Sequence, residues 1–115
     1  MTASRLAVWA PVAVWAALIF TFSSIPDLGT GLGSADLVLR KLAHFAEYAV
    51  LGALLLRAVG REAAAAVLGS LYAATDELHQ VFVPGREGAP LDWAIDTAGV
   101  LAGVFLVAWR RWAAR

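Results

Sequence analysis

The chain has 115 residues, of which 61% are apolar, and its mean hydropathy is +0.72. Soluble globular domains are about 45–50% apolar, so these values indicate a single small domain that lies in a membrane. Nine Lys and Arg residues balance nine Asp and Glu residues, which leaves no basic excess for binding a nucleic-acid backbone. The lack of Cys excludes disulfides, thiolate metal ligands and a cysteine nucleophile.

The first hydrophobic segment, Leu6–Phe22, is 17 residues long. A bilayer core requires about 20 apolar residues, whereas the hydrophobic region of a signal peptide has only about 7–15. No Ala-x-Ala cleavage site follows the segment. We therefore expect a first span over residues 6–23, with a cleaved signal peptide as the alternative.

Three further hydrophobic segments follow, separated by loops that contain Gly, Pro or charged residues. They predict spans over residues 37–59, 63–83 and 91–109. The sequence thus predicts an all-α fold, with one membrane domain over residues 1–115 and four transmembrane helices in an antiparallel bundle. The alternative is a soluble four-helix bundle, because the charge-free runs of the last two helices have only 13 residues. Ala63–Thr75 disfavours it, since Ser70 and Thr75 are its only polar residues and a soluble helix needs a polar face.

The basic residues are unequally divided between the two sides of this four-span arrangement. Six of the nine lie on the side of the two termini and of the connection between the second and third spans. The other three are Arg40, Lys41 and Arg86. The positive-inside rule then places both termini in the cytoplasm.

Apart from Arg57 at the inner end of the second span, the charged, histidine and amide residues of the last three spans lie in the outer halves of those spans. An ionised side chain that faces lipid costs several kcal/mol, so these side chains should turn inward. Because residues three or four apart share a helical face, we expect one outward polar pocket. Its candidate residues are Lys41, His44, Tyr48, Glu77, Gln80, Arg86, Asp92 and Asp96, with Glu47, Asp76 and His79 as secondary candidates. The alternative is that these residues only pair with one another and fix the helix register.

The face of the fourth span that carries Asp92 and Asp96 continues into Gly99 and Gly103. A Gly-x-x-x-Gly surface lets two membrane helices approach closely. We therefore expect this face to pack on another helix and to bring both carboxylates to it.

Three kinds of chemistry are open to such a pocket. His44 and His79 with Asp76, Glu77 and Asp96 could bind a divalent metal, but no HExxH or similar spacing is present, so neither a metal nor a cofactor is predicted. A carboxylate pair such as Glu77 with Asp96 could act as acid and base. Arg86 with Lys41 or His44 could hold an anionic headgroup. No serine lies in a Gly-x-Ser-x-Gly motif.

Three motifs carry a resemblance to a known family. They are Lys41-x-x-His44-Phe45-x-x-Tyr48-x-x-Leu51-Gly52, then Glu77-x-x-Gln80-x-x-x-Pro84-Gly85-Arg86, then Asp92 with Gly99. Over about residues 37–103 the chain resembles the VanZ-like family of small bacterial integral membrane proteins. That family is named for a member associated with resistance to the glycopeptide antibiotic teicoplanin, and its biochemical activity is not established. Arg40 and Asp96 depart from the family pattern, in which an acidic residue and an Asn are expected.

The resemblance implies a multi-pass protein of the bacterial plasma membrane. Together with the pocket, it favours binding or modification of an anionic envelope lipid or lipid-linked cell-wall precursor, with a link to teicoplanin resistance as a further implication. The alternatives are a small proton-coupled carrier or channel subunit, in which His44, Glu47, Asp76 and Asp96 would relay protons, and a structural assembly protein.

The predicted topology can be tested by labelling with an impermeant thiol reagent in intact cells. A cysteine introduced at Gly31 or Gly88 should be labelled, and one at Ala113 should not, because the parent chain contains no Cys. The reverse pattern would contradict the outward assignment of the polar pocket.

Overall fold

A computed structural model describes residues 3–24, 34–83 and 90–114, and within these residues it contains four α-helices and no strand. The helices are α1 (Ala3–Ser23), α2 (Ser34–Val59), α3 (Glu62–Gln80) and α4 (Pro90–Ala113). The expected all-α fold with four helices is therefore confirmed. The predicted pocket residue Arg86 lies outside the described residues.

The helix ends differ from the expected bounds by a few residues, each for a local reason. Gly60, with a φ of 74°, ends α2 and donates its backbone N–H to the Leu56 carbonyl, as glycine commonly does after a helix. The third helix ends at Gln80 rather than at residue 83, and residues 81–83 continue as turns. Pro90 begins α4, because the first helical position does not need the N–H that proline lacks.

The second and fourth helices run parallel to each other, and α3 runs antiparallel to both. Lys41 pairs with Asp92 near the start of the two helices, and Gly103 meets Ala49 further along both of them. The two-residue connection between α2 and α3 reverses the chain direction. The N-terminal halves of α2 and α4 therefore lie beside the C-terminal half of α3.

The most extensive helix contact joins α2 and α4, and three glycines make it possible. A Cβ atom at Gly99 would overlap the Phe45 carbonyl oxygen, and one at Gly103 would overlap the Ala49 carbonyl oxygen. A Cβ atom at Gly52, on the opposing helix, would overlap the backbone of Val100. The expected close approach of the Gly99–Gly103 face to another helix is confirmed, and α2 is that helix.

An apolar core fills the bundle below the polar residues. Its buried members are Val12, Ile19, Tyr48, Leu51, Leu55, Leu56, Ala65, Ala73, Val100 and Val104. The first helix lies at the edge of the bundle, because within the described residues it contacts α2 and α3 but not α4. Trp15 of α1 donates to the Glu47 carbonyl at 2.8 Å, and Tyr72 of α3 donates to the Ala16 carbonyl.

The outside of the bundle is apolar on every helix, as expected for a protein surrounded by lipid. Side chains more than half exposed include Leu6, Val14, Leu39, Leu42, Leu71, Leu78, Leu91 and Phe105. The segments Ser4–Ser23, Val38–Val59 and Pro90–Ala113 are long and apolar enough to cross a membrane. A soluble bundle would not expose such a surface.

The third helix is less apolar than the other three and does not reach the same hydropathy. Its average is lowered by polar residues that are buried inside the protein, namely Asp76, Glu77 and Gln80. These side chains do not face lipid, and 19 residues give a helix about 28 Å long, close to the thickness of a bilayer core. We therefore treat α3 as the fourth span, packed between α2 and α4.

The glycine contact predicts a stability effect that depends on position along α4. Gly103→Ala should destabilise the protein by about 1–3 kcal/mol, because the added methyl group overlaps the Ala49 carbonyl. The melting temperature in detergent should then fall by about 5 °C or more. Ala98→Val adds more volume at an exposed position of the same helix and should leave the melting temperature almost unchanged. Equal melting of Gly103→Ala and the parent chain would disprove the close contact.

Candidate functional site

The outermost polar contact of the bundle is an ion pair between α2 and α4. Lys41 Nζ lies 2.5 Å from Asp92 Oδ1, and the two side chains are 32% and 25% exposed. Both residues stand on the faces that the glycine contact holds together. This ion pair therefore lies at the entrance of the polar region and remains accessible from one membrane face.

One helical turn deeper, the same two helices place a histidine against a carboxylate. His44 Nδ1 lies 3.2 Å from Asp96 Oδ1, and the Asp96 residue is fully buried. Glu77 of α3 is buried next to the Asp96 carboxylate. Three helices thus contribute an ionisable residue at this depth.

The deepest polar contact joins α2 to α3. The Tyr48 hydroxyl donates to Asp76 Oδ2 at 2.9 Å, and both residues are buried, with exposures of 0% and 3%. Tyr48 also contacts the apolar core that closes the bundle below this level. The three pairs form one polar site, which is partly exposed at the entrance and buried at the bottom.

Several buried polar atoms of this site lack a hydrogen-bond partner among the described residues. They are Asp76 Oδ1, Asp96 Oδ2 and Gln80 Nε2. A buried polar atom without a partner costs about 1–3 kcal/mol, so each of these atoms would be stabilised by a further hydrogen bond or ionic contact. His44, Asp76 and Asp96 each offer one possible metal-ligand atom, and these three atoms lie within 4.8 Å of one another.

Seven of the eight predicted pocket residues lie in or beside the three polar pairs. Lys41, His44, Tyr48, Asp92 and Asp96 form the pairs described above, and Glu77 and Gln80 are buried beside them on α3. Asp76, a secondary candidate, lies at the centre of the site as the partner of Tyr48.

The other two secondary candidates are His79, whose side chain contacts the α1 end of the chain, and Glu47, whose backbone carbonyl does. His79 lies 2.9 Å from Ser24 Oγ and stacks on the Phe20 ring with 4.4 Å between ring centroids. The backbone carbonyl of Glu47 accepts the Trp15 hydrogen bond, and the Glu47 side chain is half-buried, within electrostatic range of His44. His79 therefore belongs to the α1–α3 contact.

The central position of Asp76 was visible in the sequence as a pattern of small residues. Ala65, Gly69, Ala73, Asp76 and Gln80 recur every three or four residues and form the buried face of α3. Sequence reasoning did not identify a second feature, the 3.1 Å contact between Ser70 Oγ and Thr97 Oγ1. Both residues lie in apolar runs, where a single hydroxyl carries little signal.

A comparison with protein families agrees with this architecture. The VanZ/LLP1 family model matches residues 8–111, which is nearly the whole chain and includes parts of all four helices. The chain belongs to the VanZ/LLP1 family. The resemblance inferred from the sequence motifs is thereby confirmed. Searches of curated proteins and of solved structures returned no significant match.

The family motif residues can be compared with the polar pairs and with the α2–α4 contact. The residues by which the family was recognised, such as Lys41, His44, Tyr48 and Asp92, form the polar pairs, and Gly52 and Gly99 form the helix contact that holds the pairs together. The motif residues that the structure describes therefore lie together at the interface of α2 with α3 and α4.

The buried pair of Tyr48 and Asp76 predicts a measurable coupling. Tyr48→Phe should destabilise the protein by about 1–3 kcal/mol, because Asp76 Oδ2 loses its donor in a buried position. Tyr72→Phe is the matched control and should cost less than about 1 kcal/mol, since the Ala16 carbonyl lies within a helix and keeps its backbone partner.

Reversible unfolding of both variants in mixed micelles gives these free energies. In an Asp76→Asn background, the effect of Tyr48→Phe should become smaller, as a double-mutant cycle reveals for residues in contact. Equal effects in the two backgrounds would show that Tyr48 and Asp76 are not coupled.

Proposed function

We propose that this chain binds or modifies an anionic envelope lipid, or a lipid-linked cell-wall precursor, at the outer face of the bacterial plasma membrane. The observation that carries the proposal is the gradient of burial along the three polar pairs. Lys41 and Asp92 are a quarter to a third exposed, whereas Tyr48 and Asp76 are buried above an apolar core. Such a site is open at one membrane face and closed below.

Cationic residues of α2 lie at the open end, where a lipid headgroup would enter. Lys41 is half-buried there and Arg40 precedes it on the helix. In the sequence, Arg86 follows α3 by six residues. Lys and Arg near a membrane surface attract anionic headgroups with about 1 kcal/mol each. The acyl chains of such a lipid would lie along the apolar exterior of the bundle.

The apolar core separates this proposal from the alternative of a proton relay. A relay needs ionisable groups along the whole span. The inner segments 50–56, 64–70 and 100–108 contain no ionisable residue, and Leu51, Leu55 and Val100 are buried there. The polar site therefore ends inside the bundle instead of crossing it.

A purely structural role is the second alternative, because paired charges also fix helix register. The two readings differ in what they predict for the ion pair at the entrance. A register contact is broken equally by loss of Lys41 or of Asp92. A headgroup site responds with opposite signs, because Lys41 attracts an anion and Asp92 competes for Lys41.

Native mass spectrometry of detergent-purified protein provides the test. The fraction of chains that retain an anionic phospholipid or polyprenyl phosphate should fall about fivefold in Lys41→Gln, equivalent to about 1 kcal/mol. Asp92→Asn should raise that fraction, since it frees the Lys41 ammonium group. Arg57→Gln, at the other end of α2, is the matched control and should leave the fraction unchanged.

Melting temperatures of the same variants complete the comparison. An exposed or half-exposed ion pair contributes about 0–1 kcal/mol, so Lys41→Gln and Asp92→Asn should both melt within a few degrees of the parent chain. Equal loss of bound lipid in both variants, or no bound anionic lipid in the parent chain, would refute the proposal. Teicoplanin susceptibility of a strain that expresses these variants tests the further link to resistance.

A further inference from the structure

The deepest part of the polar site brings together three side chains that bind metals in many proteins. His44 of α2, Asp76 of α3 and Asp96 of α4 each offer one ligand atom, and these atoms lie within 4.8 Å of one another. The three residues come from three different helices and lie at the bottom of the polar site, below the Lys41–Asp92 pair. Packing of the bundle therefore fixes their separation.

A second observation indicates that this cluster is incomplete on its own. Asp96 is fully buried and Asp76 is 3% exposed, yet Asp96 Oδ2 and Asp76 Oδ1 have no hydrogen-bond partner within the described parts of the chain. Two neighbouring buried carboxylates with unused oxygens repel each other and have lost their hydration. A bound cation removes both costs.

The distances within the cluster suit a single ion. Ligand atoms that each lie about 2.1 Å from one metal ion are separated by about 3.0–3.4 Å at octahedral and tetrahedral angles. His44 Nδ1 and Asp96 Oδ1 are 3.2 Å apart. The ligand atoms that His44, Asp76 and Asp96 offer all lie within 4.8 Å of one another.

From these observations we propose that His44, Asp76 and Asp96 bind one divalent transition-metal ion, Mn²⁺ or Zn²⁺. One imidazole nitrogen and two carboxylates form a mixed donor set, which suits these ions better than Mg²⁺ or Ca²⁺, whose sites are built from oxygen alone. Three protein ligands leave coordination positions for water or for phosphate oxygens. The site does not depend on the proposed lipid ligand.

Tyr48 has a defined part in this site as a positioning residue. Its hydroxyl donates to Asp76 Oδ2, which directs the other oxygen of that carboxylate away from the α2 tyrosine. Hydrogen bonds of this kind orient metal ligands, and their loss costs about 10–100-fold in metal affinity. Tyr48→Phe should therefore weaken metal binding without removing it.

The first test is titration of chelator-treated, detergent-purified protein with Zn²⁺, Mn²⁺ and Mg²⁺, each alone. One Zn²⁺ or Mn²⁺ ion should bind per chain, and Mg²⁺ should bind much more weakly. Asp76→Asn and Asp96→Asn should lower the affinity by more than about 100-fold, beyond the effect of an outer partner. Glu62→Gln, at the opposite end of α3, is the matched control and should bind like the parent chain.

The second test identifies the histidine and does not rely on affinity. The chain has two His residues, and His79 contacts Ser24 and Phe20 instead of the cluster. Pulsed electron paramagnetic resonance of the Mn²⁺-loaded protein should detect coupling to an imidazole nitrogen. The coupling should persist in His79→Gln and disappear in His44→Gln.

The outcomes separate this inference from the lipid proposal, because no lipid is added in either test. Binding weaker than about 1 mM for both ions would overturn the metal site. Imidazole coupling that is absent from the parent chain, or that is lost in His79→Gln and retained in His44→Gln, would also overturn it. If His44→Gln fails to fold, the assignment still stands on His79→Gln, in which the coupling of the parent chain should persist.

Discussion

The close parallel contact of α2 and α4 determines the arrangement of the other residues. Gly99 and Gly103 allow the backbone of α4 to reach the carbonyl groups of α2, and any larger residue would separate the two helices. At this separation, short side chains such as Asp92 and Asp96 reach Lys41 and His44 directly. Van der Waals packing of small residues drives such association in membranes, where helix contact gains no hydrophobic burial from water. The polar site thus depends on Gly99 and Gly103, which let α4 lie close to α2.

The third helix completes the site because one of its faces contributes both to the apolar core and to the polar site. Its Ala65, Gly69 and Ala73 face packs in the core, and the same face continues into Asp76 and Gln80 as the chain approaches the membrane surface. Apolar residues at the inner end close the bundle, and polar residues at the outer end meet those of α2 and α4. This change of character along one helical face explains why α3 is the least hydrophobic helix and still belongs inside the bundle.

Hydrophobic runs, loop residues and helical periodicity were sufficient to predict the four helices, their order and the face of α4 that packs on α2. Side-chain pairing was less accessible, because it depends on helix rotation and on contacts between residues about 28 to 52 positions apart in the chain, such as Tyr48–Asp76 and His44–Asp96. His79 illustrates the limit: it lies one turn from Asp76, yet helix rotation directs it to Phe20 of α1. The sequence likewise shows no metal-binding motif with a regular spacing, since each residue of the His44–Asp76–Asp96 cluster lies on a different helix.

The two proposals meet in the electrostatics of the site. An anionic headgroup is attracted by Lys41 at the entrance but repelled by the deeper carboxylates of Asp76, Glu77 and Asp96. A divalent ion held by two of these carboxylates offsets their negative charge, since a bound cation is often the largest charge in such a site. Phosphate oxygens could then occupy the open coordination positions of the ion, at a depth from which the carboxylates alone would repel them. An acidic pocket and an anionic ligand are therefore compatible when the cation lies between them.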